Sequence, residues 1–421
     1  MQQIQLAAAA AVQSVLSGHS LTDALDREFR KGLLTDQQRA AVQACGYGTL
    51  RHLGFLRFVL DRLVKRKPKN DKVVSILLVA LYQLQYSKAA HYAVVDHAVK
   101  SVGAIGGRTL KPFANAVLRE YLRKRQDLLD TASRDDVARL SYPRWWIDKL
   151  RAQLGQQADL VMELGNLHPP MTLRVNRRQL EPVLYVSMLA EQGFGATWIS
   201  AEAVRLDEPV SVERLPGFAD GVVSVQDAGA QISAHLLDLQ PGQHVLDACA
   251  APGGKTGHML ELADVHMTAL DRDCERLKRV TENLERLGFR AHIQCADATD
   301  LASWWDGTPV DRVLLDAPCS ASGVVRRHPD VKWLRRPEDI AGFRGQQRGL
   351  LDALWQVVAP NGKLLYVTCS IFREENEEQV DWFLSRHADA LLETRHDCQR
   401  GGLLLPSKEH DGFFHALFEK V

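Results

Sequence analysis

His244-Val-Leu-Asp-Ala-Cys-Ala-Ala-Pro-Gly-Gly-Lys-Thr256 decides the fold. A short apolar run passes into a turn whose glycines let backbone approach a ligand, and the turn feeds a helix beginning near Lys255. Four more apolar strands follow, at Met267 to Leu270, His292 to Cys295, Val313 to Leu315 and Leu364 to Val367, with helical stretches between them. That alternation predicts an α/β domain with a parallel, doubly wound sheet. The helix before the last strand is clearly punctuated. It opens at Pro337-Glu338-Asp339, with proline and acids in its first turn, and stops before Pro360-Asn361-Gly362.

Ligands of such sheets bind beyond the carboxyl ends of the strands, where strand order reverses. The turn after the first strand is not a Walker A loop, because Cys249 stands where its first glycine is required, and Ala251-Pro-Gly-Gly254 does not supply G-x-G-x-x-G. An ordinary strand-to-helix turn leaves the acids that follow unexplained. Asp271 ends the second strand, where a carboxylate can accept from both ribose hydroxyls, Asp297 follows the third, within reach of an adenine amino group, and Asp316 ends the fourth. Each alone reads as a solvated loop acid. One at each strand end in turn reads as a nucleoside-binding rim, and without a phosphate cradle S-adenosylmethionine is the expected cofactor rather than ATP or NAD.

Two cysteines also follow strands directly, in Asp316-Ala-Pro-Cys319-Ser320 and Thr368-Cys369-Ser370. A single buried thiol is commonly just a small hydrophobe. Two at neighbouring strand ends point to covalent chemistry on a pyrimidine. Carbon 5 of cytosine is a poor nucleophile until a thiolate adds at carbon 6 and turns the ring into an enamine; afterwards the carbon-5 proton and the thiol must leave, with help from a second group. A thiol with pKa of about 8.5 is mostly protonated at neutral pH, so a positive neighbour would help, and Lys255 is a candidate. Asp316 is placed to protonate or hydrogen-bond ring nitrogen 3; holding the loop or the cofactor is its other reading.

The 421 residues divide naturally into two or three domains, with apolar and charged fractions ordinary for soluble protein. No apolar run approaches a membrane span, and the alanine-rich start, Leu6 to Val12, lacks the basic flank of a signal peptide, so a cytoplasmic location is expected. The seven cysteines are scattered without a C-x-x-C pair, so reduced thiols are expected, with neither a disulfide framework nor a metal site. A net charge of zero hides an asymmetry: residues 1–130 carry 20 Lys and Arg against 10 Asp and Glu. The densest clusters, Arg62, Lys65, Arg66, Lys67 and Lys69, then Arg119, Arg123, Lys124 and Arg125, read either as a solvated helix face or as a phosphate-attracting surface.

Three regions are expected. Residues 1–135 have helical apolar spacing, as in Val73, Ile76, Leu77, Ala80, Leu81 and Leu84, and predict an all-α domain. Residues 140–235 mix an amphipathic helix at Tyr142 to Leu164, strands at Met171 to Val175 and Gly221 to Val225, and a helix at Leu184 to Gln192, which predicts a small α+β linking module. Residues 236–421 form the catalytic α/β domain.

The segments Asp247 to Thr256, Asp316 to Asp330 and Val367 to Ser370 together resemble the RNA 5-methylcytosine methyltransferases of the Nol1/Nop2/Sun family. The resemblance covers the C-terminal half and implies a Rossmann-like class I S-adenosylmethionine-dependent methyltransferase. It assigns nucleophilic attack to Cys369 and assistance in product release to Cys319, with cofactor contacts at Ala248, Cys249, Ala250, Ala251, Pro252, Gly253, Gly254, Asp271, Asp297 and Asp316. Many relatives carry Pro at 317 and Gly at 321, where this chain has alanine. In the front half, Leu81 to Leu84, Ala93 to Val99 and Phe113 to Arg119 resemble the helical NusB RNA-binding fold. Together with His328-Pro-Asp-Val-Lys-Trp-Leu-Arg-Arg336, they resemble the bacterial subgroup that acts on 16S ribosomal RNA, free or in a small-subunit precursor, and that resemblance implies position 967 as the target. Lys332, Trp333, Arg335 and Arg336 are expected either to line an RNA groove or to be surface residues at a helix start. No obligate protein partner is evident.

Other readings remain at this stage. A 5-methylcytosine enzyme for tRNA or another rRNA site would share the catalytic half, a non-enzymatic NusB-like RNA-binding factor would leave the cysteines idle, and a small-molecule or protein methyltransferase would leave the cysteine pair unexplained.

Overall fold

A computed structural model describes residues 1–66, 68–393 and 402–421; Lys67 of the first basic cluster and Cys398 lie outside the described residues. The chain forms two compact units, one of Met1–Leu167 with Val325–Arg336, the other of His168–Val324 with Pro337–Val421. No helix among the described residues is long and apolar enough to cross a membrane.

The first unit is helical. Its central helix, Asp71–Tyr86, is capped by Asn70 and buries Val73, Ile76, Leu77, Ala80, Leu81 and Leu84. Burying a Leu or Ile side chain is worth about 1.5–3 kcal/mol, so this one face is a large share of the unit's stability. The helix Asp36–Arg51 starts at a capping box between Thr35 and Gln38 and packs against the central helix at Gly48. A Cβ there would lie 2.0 Å from the Tyr82 ring, so only glycine permits the approach. Arg62, Lys65, Arg66 and Lys69 are exposed where Leu53–Leu63 connects to the central helix. The helix expected over Tyr142 to Leu164 is broken at Gly155, whose φ of 55° divides it into Arg144–Leu154 and Ala158–Leu164.

The segment Val325–Arg336 corrects an expectation. Lys332 is fully buried, donating to the Arg51 carbonyl at 3.0 Å and to Asn166 Oδ1 at 2.7 Å, with its ammonium 4.3 Å from the Tyr142 ring centre. Trp333 Nε1 donates to the Leu50 carbonyl at 2.8 Å, and Asp330 accepts from Leu21 N at 2.8 Å. Lys332 and Trp333 are therefore packing anchors rather than the lining of an RNA groove. The physical reason is that a lysine stem and an indole bury as apolar bodies once their polar tips find backbone carbonyls.

The second unit holds two sheets. The smaller is antiparallel, ordered Ala196–Ser200, Ala203–Leu206, Thr172–Val175, Val223–Val225, with Leu173, Val175, Tyr185, Leu189 and Val204 in its core. The larger runs Ala390–Leu392, Phe413–Lys420, Val358–Thr368, Val310–Asp316, His244–Ala248, His266–Asp271, His292–Cys295. Its five expected strands are parallel, but Phe413–Lys420 pairs antiparallel with Val358–Thr368, so the sheet is mixed rather than purely parallel. His244–Ala248 has the second strand on one side and the fourth on the other. Strand order reverses there, which opens a crevice at the carboxyl ends.

Candidate active site

The turn after His244–Ala248 is built by backbone geometry. Cys249 and Gly253 take φ of 76° and 95°, and the helix Gly254–Leu262 starts immediately afterwards. A Cβ on Gly253 would press to 3.1 Å on Val280, so glycine serves both the left-handed conformation and the close approach. Asp271 fixes the turn's height: one carboxylate oxygen accepts from Ala251 N at 3.0 Å and the other from Asp273 N at 2.9 Å. From the smaller sheet, fully buried Arg174 donates to the Gly254 carbonyl and to Gln226 at 2.7 Å each, and grips Glu261 through two bonds of 2.6 and 2.8 Å. The linking module thereby helps to position this turn, a contribution that the sequence reading missed.

A cavity of about 520 Å³ opens at these strand ends, and its wall includes Cys249, Ala251, Asp271, Asp297, Asp316, Cys319 and Cys369. Ala248, Ala250, Pro252, Gly253 and Gly254 shape the turn without lining the cavity. Asp297 accepts from Thr299 N and Oγ1 at 2.9 and 2.7 Å, and these bonds hold its carboxyl below the usual range. Lys255 does not line the cavity. Its ammonium donates to Asp316 Oδ2 at 2.6 Å; burial works against the charge, but Asp316 prevails and holds the ammonium above its ordinary range. Lys255 is thus an ion-pair partner of Asp316 rather than a free cation.

The two sulfurs lie 3.3 Å apart. Cys319 is buried, and its hydrogen bond with Cys369, followed by desolvation, pushes its thiol well up, so it keeps its proton at neutral pH. Their loops are tied together from beneath by buried Glu375, which the sequence reading passed over. Glu375 accepts from Ser320 N at 2.8 Å, Ser320 Oγ at 2.5 Å and Ser370 Oγ at 2.6 Å. Gln347 bonds both the Pro318 carbonyl and Glu375, at 2.9 and 3.2 Å. The signal available was its position five residues after Ser370 in an acidic run, which looks like a solvated helix start.

Two departures bear on this site. Ala321, in the Cys319 loop, has φ of 60°, a conformation that costs an L-residue about 1–2 kcal/mol. Ala321→Gly is expected to raise stability by about 0.5–1 kcal/mol, after allowance for glycine's looser unfolded state; a lowered urea midpoint would contradict this. The second is a disulfide between Cys274 and Cys295, which corrects the expectation of reduced thiols throughout. Cys295 pairs in register with Asp271, and Cys274 opens the next helix, so parallel pairing brings together two cysteines 21 residues apart in a spacing that carries no motif. Cys45, Cys249, Cys319 and Cys369 are free thiols.

Asp247 is fully buried beneath the turn, bonded at 2.6 Å by Thr256 Oγ1, and burial pushes its carboxyl up to about 7. An unfolded aspartate titrates near 3.9. Between about pH 4 and 7 the folded chain keeps a proton that the unfolded chain has lost, so this group's contribution to stability is complete below that window and is lost as pH rises through it. Asp247→Asn is expected to keep the Thr256 bond and to flatten that part of the stability profile. Urea midpoints across the same window test this, and an unchanged slope would refute it.

Against known proteins, residues 234–419 match the family 16S rRNA methyltransferase RsmB/F. Ribosomal RNA small subunit methyltransferase B of Pseudomonas putida is 42% identical, over 99% of this chain and 98% of its own length. The chain belongs to the ribosomal RNA small subunit methyltransferase B family. A second member of that family, from Vibrio cholerae, is 41% identical over 100% of this chain and 98% of its own. Residues 2–123 match the NusB family and 142–213 the ferredoxin-like domain of RsmF/B-like methyltransferases. An N-terminal NusB helical domain, a ferredoxin-like module and a C-terminal Rossmann-like methyltransferase fold thus follow in order. Among solved structures, PH0851 shares the fold over 100% of this chain and 99% of its own at 24% identity and a TM-score of 0.82. A methyltransferase homolog protein from Pyrococcus horikoshii matches 68% of this chain and 98% of its own at 29% identity and a TM-score of 0.61.

Proposed function

We propose that this rRNA small subunit methyltransferase moves a methyl group from S-adenosylmethionine to carbon 5 of a cytosine in 16S rRNA, through a covalent bond from Cys369 to carbon 6. The carrying observation is the pair of sulfurs 3.3 Å apart on the wall of a cavity that also presents Asp271, Asp297 and Asp316. The donor set suits the cofactor: carboxylates at three successive strand ends fit a nucleoside bearing positive charge, and Arg276, a cation on the same wall, is committed to the Ala251 carbonyl at 2.8 Å. Asp271, Asp297 and Asp316, with the turn Ala248 to Gly254, would hold it. When bound, S-adenosylmethionine supplies an electrophilic methyl on a sulfonium.

The residues divide the remaining work. Cys369 bonds to carbon 6 while the Asp316–Lys255 pair delivers a proton or hydrogen bond to ring nitrogen 3, which leaves carbon 5 electron-rich. After methylation the carbon-5 proton passes to water, its electron pair re-forms the ring double bond as the sulfur–carbon bond breaks, and any proton taken at nitrogen 3 returns to the Asp316–Lys255 pair. Cys319, holding a proton 3.3 Å from the departing sulfur, neutralises it as it leaves. The exposed Arg62, Lys65, Arg66 and Lys69 would bind phosphates, while the cavity takes an unpaired or extruded cytidine. By subgroup resemblance that cytidine is position 967, in free rRNA or a precursor particle in the cytoplasm. The three-region division at about 135–140 and 235 belongs to the same reading.

Undermodified 16S rRNA incubated with the purified chain and methyl-labelled S-adenosylmethionine is expected to yield 5-methylcytosine at one position. Label in any other nucleoside, or none, would sink the reading.

A further inference from the structure

Glu202, His235 and His258 converge outside the cavity just described. Glu202 follows the turn of the small sheet's hairpin and its backbone carbonyl accepts from Val175 N at 2.9 Å; His235 sits near the end of the helix Ala228–Leu236, and His258 lies midway along Gly254–Leu262. One donor atom from each residue lies within 4.8 Å of the others. His235 Nε2 is 2.8 Å from Glu202 Oε2, His258 Nε2 is 3.8 Å from the same oxygen, and the two rings stand 5.4 Å apart at 81°.

His258 is the decisive member. It is wholly buried, and neither ring nitrogen has a hydrogen-bond partner. A buried polar group left so costs about 1–3 kcal/mol, and native interiors leave few of them. The neighbouring cation Arg174 is compensated by its two bonds to Glu261.

We propose that Glu202, His235 and His258 bind one divalent cation of the zinc class as a structural ion. Two imidazoles and a carboxylate are a donor set that zinc uses with one further position for water. Bonds of about 2.0–2.2 Å in a tetrahedron separate neighbouring donors by roughly 3.3–3.6 Å, a spacing inside the range that the three residues span here. Half-exposed His235 gives the ion an entry path and the water its place. The ion joins the ferredoxin-like hairpin to the helix that starts at the cofactor turn. The wide separation of 202, 235 and 258 explains why the sequence shows no metal motif.

The full chain, stripped with a chelator and titrated with Zn²⁺ against a chromophoric competitor, is expected to take up one equivalent in the micromolar range or tighter, with the thermal midpoint rising by about 4 °C at saturating metal. Co²⁺ in its place should give the visible absorption of a tetrahedral nitrogen–oxygen site. His235→Ala, at a half-exposed position that tolerates truncation, should weaken uptake at least about tenfold and erase the cobalt spectrum, as should His258→Gln. A Cys319→Ala/Cys369→Ala double variant should keep both. Absence of stoichiometric uptake, uptake insensitive to the histidine variants, or uptake lost only in the cysteine variant would each overturn the proposal, and none of them bears on methyl transfer.

Discussion

Cys369→Ala is expected to lower methyl transfer by roughly 10⁴-fold or more and to form no protein–RNA adduct, because the enamine that makes carbon 5 nucleophilic requires the bond to carbon 6. Cys319→Ala should behave differently. Methylation proceeds but the departing sulfur has lost the thiol 3.3 Å away, so a covalent complex accumulates that survives denaturing electrophoresis. The opposite assignment of the two products would exchange the roles of the cysteines. Burial and the shared hydrogen bond already hold Cys319 protonated, which suits a proton donor to a leaving thiolate and not an attacking group.

Glu375→Ala is the second large effect. The carboxylate receives Ser320 N, Ser320 Oγ, Ser370 Oγ and Gln347 Nε2, so truncation leaves several buried donors unpaired and should cost roughly 3 kcal/mol or more. Both cysteine loops lose their common tie, and a displacement of about 1 Å at the sulfurs is enough for a 10²-fold loss of rate. Glu375→Gln keeps the volume but turns one acceptor into a donor facing two hydroxyls, so it should recover part of the stability and little of the rate. Urea midpoints and adduct formation measured on the same variants separate the effects; normal adduct formation in Glu375→Ala would remove Glu375 from the positioning of the sulfurs.

The sequence is most readable where residues act through local pattern. Apolar runs locate all five parallel strands, and Pro337 and the Pro360-Asn-Gly362 turn bracket a helix observed at Pro337–Val357. Phe413-Phe-His-Ala-Leu-Phe418 carries the same apolar signal, yet its antiparallel pairing depends on a partner some fifty residues earlier, Val358–Thr368. Long-range partners explain the other misses too. Lys332 looks like a surface cation until the Arg51 and Asn166 oxygens are brought to it, and Glu375 looks like helix-start acid until two loops close over it. Gly155 shows the converse, since a single left-handed residue breaks a helix whose apolar spacing runs straight through it. For the candidate site, the acids and cysteines were visible because each lies at a strand end or within three residues of one; Arg174, Gln347 and Glu375 were not, because each acts on a loop far from it in sequence.

The excursion Val325–Arg336 has a mechanical consequence. The loop bearing Cys319 leaves one unit at Val324 and its continuation is clamped in the other by Lys332, Trp333 and Asp330. Loosening the packing there, for example by Asn166→Ala, leaves buried Lys332 Nζ with one fewer acceptor and is expected to lower the urea midpoint.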